Sequence, residues 1–176
     1  PLLVIVGWVM FNKFEDSKVR DLGRAIVGLG IALLGLHLIT VAAEPVRDAP
    51  LLPLILRVMS DAPVFGVIVG AALTVLSTSS LAVVLLVVSF MAHDMVPVDL
   101  GFALVLGANL GSAVMPILAT SGEPPEARRV PVGNLVFRAI GVAIAVPLIV
   151  VVQPFVAMIE ADPARQALNF HVAFNL

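Results

Sequence analysis

Four consecutive hydroxyl side chains form the part of this sequence best suited to binding chemistry. Hydroxyl oxygens can ligate Na⁺, and N–H groups freed at the start of a half-helix present positive dipole to an anion. The alternative is that each hydroxyl bonds a carbonyl one turn back and helps helices pack. Four hydroxyls in a row favour an ion-binding role. The four residues are Ser77, Thr78, Ser79 and Ser80.

The apolar run that holds these hydroxyls, residues 62–92, is too long for one straight membrane span. About 20 residues, each rising about 1.5 Å, cross a hydrocarbon core of about 30 Å. The parts on either side of the cluster, 62–76 and 81–92, would be only about 22 and 18 Å long. The sequence therefore predicts a re-entrant helical hairpin over 62–92 with the hydroxyls at its tip. One strongly tilted span is the alternative.

A second polar interruption follows in Gly107-Ala-Asn-Leu-Gly-Ser112. Two glycines flanking an asparagine weaken a helix, so we expect freed backbone groups here, within a span over 97–120. Asn109 can then supply its amide to the same cavity as the hydroxyls. Discontinuous helices that meet near the membrane midplane are a recurrent way to build ion and solute sites.

Arg138 is a charged residue about 12 Å into a predicted span over 130–152. A charge at that depth is costly and is by default a functional hypothesis. Arg138 can pair with an anion, with Asn134 one turn earlier, or it can extend its long stem to the membrane surface. Asn134-Leu-Val-Phe137-Arg138 also resembles His171-Val-Ala-Phe-Asn175, a faint echo of the kind that duplicated units leave.

The composition places the chain among integral membrane proteins. Sixty per cent of its residues are hydrophobic, 12% are charged and the mean hydropathy is +1.12, whereas soluble domains carry about 25% charged residues. The net charge of −2 argues against a nucleic-acid partner, and zero cysteines exclude thiolate chemistry. The three histidines have no evident serine partner, and residues 77–80 lack a glycine-flanked nucleophile turn, so an enzyme is not expected.

The expected organisation is an all-α membrane protein that begins with the end of a helix. Six of the ten Lys and Arg residues lie in two predicted loops, 12–24 and 121–129. A hairpin over 62–92 would put both loops on one side, which the positive-inside rule makes cytoplasmic. The predicted segments are a helix end and cytoplasmic loop over 1–24, a span over 25–43, an interfacial helix over 51–60, the hairpin over 62–92, spans over 97–120 and 130–152, a segment outside the membrane core to 168, and a new apolar segment over 169–176.

The two polar motifs resemble those of the sodium/phosphate cotransporter family, the type II sodium-dependent phosphate cotransporters and their bacterial relatives. Thr74-Val-Leu-Ser-Thr-Ser-Ser-Leu-Ala82 is similar to the family's Thr-Ala-x-x-Gln-Ser-Ser-Ser-Ala signature. Gly107-Ala-Asn-Leu-Gly-Ser112 follows about 25 residues later and is similar to the family's Gly-Ala-Asn-Ile-Gly-Thr-Thr. Ala-Arg-Arg at 127–129 and the Phe-His…Phe-Asn ending also match, so the resemblance covers most of residues 25–176.

The resemblance implies two inverted repeats, each with a re-entrant hairpin, whose motifs together form the phosphate and sodium site. The chain would be the first repeat, residues 25–168, and the start of the second. Ser79 and Ser80 take the first two serine positions, and Asn109 and Ser112 take positions of the second motif. The departures from the family pattern are Thr78 for the glutamine, Leu81 for the third serine, Ala113 for the second threonine, and Asn134 and Arg138 for a histidine and an asparagine.

The function expected from these features is sodium-coupled symport of inorganic phosphate by alternating access, in a multi-pass protein of the cell inner (plasma) membrane. Sodium is the expected coupling ion, with Thr74, Thr78 and Ser79 as its expected ligands, and no cofactor is expected. The expected partners are phosphate, sodium, the lipid bilayer and the second repeat of the same chain. A homo-oligomer is compatible with these features. The alternatives are a non-transporting membrane protein that senses or anchors phosphate-regulatory partners, and a transporter for another anion.

Overall fold

The computed structural model describes residues 1–47 and 52–176, with the side chains at 40, 42–53, 55 and 57 left aside. Within this part of the chain there are eight α-helices and no strand, so the predicted all-α class is correct. The chain divides into two units, Pro1–Val46 and Arg47–Leu176. Among the described residues, three helical segments are long and apolar enough to cross a membrane: Ser17–Ile39, Val98–Ala119 and Pro125–Ile159.

The first unit consists of α1 (Leu2–Lys13) and α2 (Ser17–Arg47). A methyl group at Gly7 would lie 2.7 Å from the carbonyl oxygen of Gly23, so the two helices cross with their backbones in contact. The predicted polar loop over 12–24 is wrong, because only residues 14–16 lie between the helices. Asp16 starts α2 early by accepting hydrogen bonds from the backbone N–H groups of Lys18 (2.8 Å) and Val19 (3.4 Å).

The second unit contains the remaining six helices. The sequence also predicts a turn over 44–50, with Pro45 and Pro50 as helix breakers. Residues 44–47 are helical instead, and the rest of that turn lies outside the described part of the chain. The predicted interfacial segment over 51–60 is helical from Leu52, and its first residue lies outside that part too. The helices are α3 (Leu52–Asp61), α4 (Pro63–Ser77), α5 (Ser80–Ala92), α6 (Val98–Ala119), α7 (Pro125–Ile159) and α8 (Pro163–Asn175).

Helix α6 is the centre of the second unit, and α4, α5, α7 and α8 all pack against it. Every residue over 100–109 is buried, which is the pattern of a helix surrounded on all sides. Phe102 stacks on Phe170 of α8 with ring centroids 4.3 Å apart. The central helix thus holds the second polar motif, around Asn109, inside the core of this unit.

The predicted weakening of the helix at Gly107 and Gly111 is wrong, because α6 runs unbroken through both. These glycines serve close packing instead. A methyl group at Gly107 would lie 2.9 Å from the backbone nitrogen of Ala71 on α4, and one at Gly111 would lie 2.6 Å from the carbonyl oxygen of the same residue. One turn apart, the two glycines form a single face on which the α4 backbone rests.

Helix α7 is much longer than the predicted span over 130–152. Its 35 residues correspond to about 52 Å, well beyond a hydrocarbon core of about 30 Å. It begins inside the predicted loop over 121–129, because Pro124 is extended and Pro125 occupies the first turn, where proline is tolerated. It also continues to Ile159, into the segment expected to leave the membrane core.

Candidate functional site

The hydroxyl cluster lies where the chain leaves α4 and enters α5. Thr78 has left-handed backbone angles (φ 58°, ψ 15°), and Ser79 is extended (φ −146°). Ser79 caps α5, since its Oγ accepts a hydrogen bond of 3.2 Å from the backbone N–H of Ala82. Ser77 Oγ donates to the carbonyl oxygen of Ser79 at 3.2 Å, across the break. The helix break that the sequence predicts at these hydroxyls is therefore present.

Thr74 lies one turn before the break and is fully buried, with 0% of its surface exposed. Its Oγ1 has no hydrogen-bond partner among the described residues. The Cβ of Thr74 faces Gly111, where a methyl group would lie only 2.8 Å away. A buried hydroxyl without a partner is costly, so this oxygen is a candidate ligand for something that the site binds.

Asn109 is the centre of a second polar cluster and is 1% exposed. Its Oδ1 accepts hydrogen bonds from Asn175 Nδ2 at 2.8 Å and from Arg138 Nη1 at 3.4 Å. Its backbone carbonyl oxygen accepts from Arg138 Nη1 at 3.2 Å and from Ser112 Oγ at 2.7 Å. One buried asparagine therefore ties α6 to both α7 and α8.

The amide nitrogen of Asn109 lies next to the ring of His171. It donates to the carbonyl oxygen of Val105 (3.2 Å) and lies 3.3 Å from His171 Nδ1. A neutral imidazole with its proton on Nε2 can accept a hydrogen bond from this amide. Partial burial, and after it the charge of Arg138, lower the pKa of His171, which lies on α8 outside the three candidate spans.

Arg138 lines a cavity of about 240 Å³ between α7 and α8. Its Nε donates to Asn134 Oδ1 at 3.4 Å, one turn earlier on the same helix. Gly141 leaves space for the ring of Phe174, because a methyl group there would lie 3.2 Å from the ring. The residues that line the cavity are Asn134, Phe137, Arg138, Gly141, Phe174 and Asn175.

The predicted site residues form two groups rather than one. Four of them, Asn109, Ser112, Asn134 and Arg138, lie in the same hydrogen-bonded cluster. Within the described part of the chain, no hydrogen bond joins the hydroxyls of residues 77–80 to that cluster.

The sequence reasoning missed His171 and Asn175 as members of the Asn109 cluster. The available signal was the echo between residues 134–138 and 171–175. Both copies meet at the same cavity, because Phe137 and Arg138 line it together with Phe174 and Asn175.

The chain belongs to the Na⁺/Pi-cotransporter family, whose model matches residues 50–176. The resemblance inferred from the two motifs is thereby confirmed. The family is one of transporters and not of enzymes. With its apolar helices, the chain is a membrane protein of this family.

The relatives share sequence along the whole chain. The chain is 33% identical over 176 residues to the "Putative inorganic phosphate export protein YjbB" of Escherichia coli (strain K12), and 32% identical to the protein of the same name from Salmonella typhimurium. It is 24% identical over 174 residues to the "Uncharacterized protein YqeW" of Bacillus subtilis (strain 168), of which it covers 57%. The chain spans 32% of the length of the two YjbB relatives. No solved structure matches it.

Proposed function

We propose that this protein moves inorganic phosphate across the cell inner membrane, coupled to Na⁺, by alternating access. Membership of the Na⁺/Pi-cotransporter family supports both the anion and the coupling ion. The names of the YjbB relatives also refer to inorganic phosphate. The structural observation that carries the proposal is the break between α4 and α5, where four consecutive hydroxyl residues lie at the N-terminus of α5, which Ser79 caps.

The break offers phosphate the contacts that it needs. The first N–H groups of a helix have no intrahelical partner and attract an anion through the helix dipole. Ser79 and Ser80 are at this end of α5 and can add hydroxyl donors to phosphate oxygens. Thr78 and Ser77 complete the turn around the same point, so all four hydroxyls belong to the proposed site.

The sodium ion is proposed to lie on the α4 side of the break. Na⁺ prefers neutral and acidic oxygen ligands, and the fully buried Thr74 Oγ1 has no described partner to satisfy it. Thr78 and Ser79 can supply further hydroxyl or carbonyl oxygens from the break. Binding Na⁺ there would place its charge near the phosphate, which links occupancy of the two sites.

The lengths of α4 and α5 support a hairpin that enters the membrane and returns to the same side. With 15 and 13 residues, the helices are about 22 and 20 Å long, and neither reaches the thickness of about 30 Å of the hydrocarbon core. Non-helical backbone at that depth is tolerated where protein or a wet cavity surrounds it. Alternating access would then expose the hairpin tip to each side in turn.

Uptake of radiolabelled phosphate into proteoliposomes of the full-length protein tests this proposal. We expect uptake that rises with an inward Na⁺ gradient, and Ser79→Ala and Ser80→Ala should each reduce it by about tenfold or more. Ser121→Ala, which removes a hydroxyl from the exposed loop after α6, is the matched control. Phosphate uptake that does not depend on the Na⁺ gradient would refute the coupling. Normal uptake by both site variants would refute the proposal that phosphate binds at the break.

Export is the second candidate, favoured by the names of the YjbB relatives. The same vesicles, loaded with phosphate, distinguish the two directions. Efflux that is faster than uptake, when the imposed gradients are equal in size and opposite in direction, would support export. Uptake that dominates under every imposed Na⁺ gradient would favour import.

A further inference from the structure

The cavity between α7 and α8 contains a positive charge that no described acidic residue neutralises. The ion pairs within the described residues are Arg24 with Asp21 and Arg165 with Glu160, and neither involves Arg138. Arg138 is half-buried, so its charge is only partly screened by solvent. An arginine in a cavity without an acidic partner is a candidate ligand for an anion.

The hydrogen bonds around Arg138 hold one edge of the guanidinium and leave another available. Nε and Nη1 donate to oxygens of Asn134 and Asn109, at distances of 3.2 to 3.4 Å. Nη2 donates to no described residue. Asn134 accepts through Oδ1, and its own Nδ2 likewise has no described acceptor. Arg138 and Asn134 lie one turn apart and line the same cavity. Each therefore has an N–H₂ group without a described acceptor, charged in the arginine and neutral in the asparagine.

The cavity has the size and chemistry for a small oxyanion. Its volume of about 240 Å³ exceeds by several-fold the roughly 30 Å³ that one water molecule occupies in the liquid. Its polar lining is Asn134, Arg138 and Asn175, and none of these carries negative charge. The aromatic residues Phe137 and Phe174 supply apolar lining, which strengthens the attraction between a cation and an anion.

We propose that this cavity is a phosphate subsite, with Arg138 and Asn134 as its ligands, separate from the break at residues 77–80. Arg138 Nη2 donates a charge-assisted hydrogen bond to one phosphate oxygen, and Asn134 Nδ2 donates to another. Asn109 positions Arg138 by holding Nη1. The choice of phosphate as the oxyanion rests on the proposed function, whereas the position of the subsite rests on the geometry of α7 and α8.

Asn134→Asp separates a binding role from a structural one. The aspartate keeps an oxygen for Arg138 Nε and would add an ion pair, so a purely structural role predicts unchanged folding and unchanged phosphate binding. A subsite predicts loss of binding, because the variant replaces a donor by an acceptor and neutralises the arginine. Arg138→Gln removes the charge directly, and Arg128→Gln removes the same charge from the exposed first turn of α7 as the control.

The measurement is equilibrium binding of radiolabelled inorganic phosphate to the purified full-length protein. We expect Asn134→Asp and Arg138→Gln to weaken binding by about 10- to 100-fold, the effect of losing a charge-assisted hydrogen bond, and Arg128→Gln to bind normally. Wild-type affinity in folded Asn134→Asp would overturn the subsite and leave the proposed function intact. A wild-type protein that binds no phosphate would instead overturn the proposed function.

Discussion

Gly111→Ala perturbs the contact between the two helices that hold the site. The added methyl group would lie 2.6 Å from the carbonyl oxygen of Ala71 and 2.8 Å from the Cβ of Thr74. Ordinary contact begins at 3.4 Å, so α4 and α6 must separate locally by about 0.8 Å. The nearest obstacles are backbone and a Cβ, which cannot turn aside as a flexible side chain can. We expect a loss of about 1–3 kcal/mol in the free energy of unfolding.

Unfolding of the full-length protein by SDS in mixed micelles, followed by circular dichroism, measures this loss. Gly133→Ala on α7 is the matched control, because a methyl group there has no heavy atom within 4 Å. Exposed glycine-to-alanine changes within a helix are neutral or gain up to about 1 kcal/mol from helix propensity. A Gly111→Ala protein as stable as the Gly133→Ala protein would show that the close approach of α4 and α6 is not needed for the fold.

Two further predictions concern the cluster around Asn109. Asn109→Leu removes the side-chain oxygen that accepts from Asn175 and, at 3.4 Å, from Arg138, whereas the backbone carbonyl at this position can still accept from Arg138. The free energy of unfolding should fall by about 2–4 kcal/mol, and an SDS titration within about 0.5 kcal/mol of wild type would contradict this. The pKa of His171 is lowered in the folded protein, so stability should be constant above about pH 6.5 and fall as the pH decreases below it. His171→Gln should lack that part of the pH dependence, measured as thermal unfolding at pH 7.5 and 5.5, and an equal loss in both proteins would contradict it.

The sequence carried enough information to predict the helix break, because the apolar run over 62–92 is too long for one straight span and the hydroxyls interrupt it. It did not carry enough to predict how Gly107 and Gly111 act. The same pair of glycines can weaken a helix or allow a neighbouring helix to pack closely, and the local sequence does not distinguish the two roles. Only the position of α4, which depends on long-range packing, decides between the two.

Only some residues of the candidate site could be predicted from the sequence, because long-range packing decides which side chains meet. Asn109 and Arg138 are conspicuous as polar groups within apolar helices, whereas His171 and Asn175 lie on the more polar α8. Their role depends on which face of α8 meets α6, and Phe170 sets that face by stacking on Phe102. The ends of α7 were missed because charged and proline-rich residues, typical of loops, are also compatible with the first turn of a helix.

The contact between α4 and α6 has a consequence for motion. Gly70, Gly107 and Gly111 leave backbone against backbone, and Val67 and Ala71 lie directly opposite. A slide of one residue along this contact would replace a glycine by a side chain for which there is no space. The packing therefore opposes a slide of α4, which leads into the hydroxyl break, along α6, which carries Asn109. If the break moves, we expect α4 and α6 to move together, because their contact leaves no space for a relative slide.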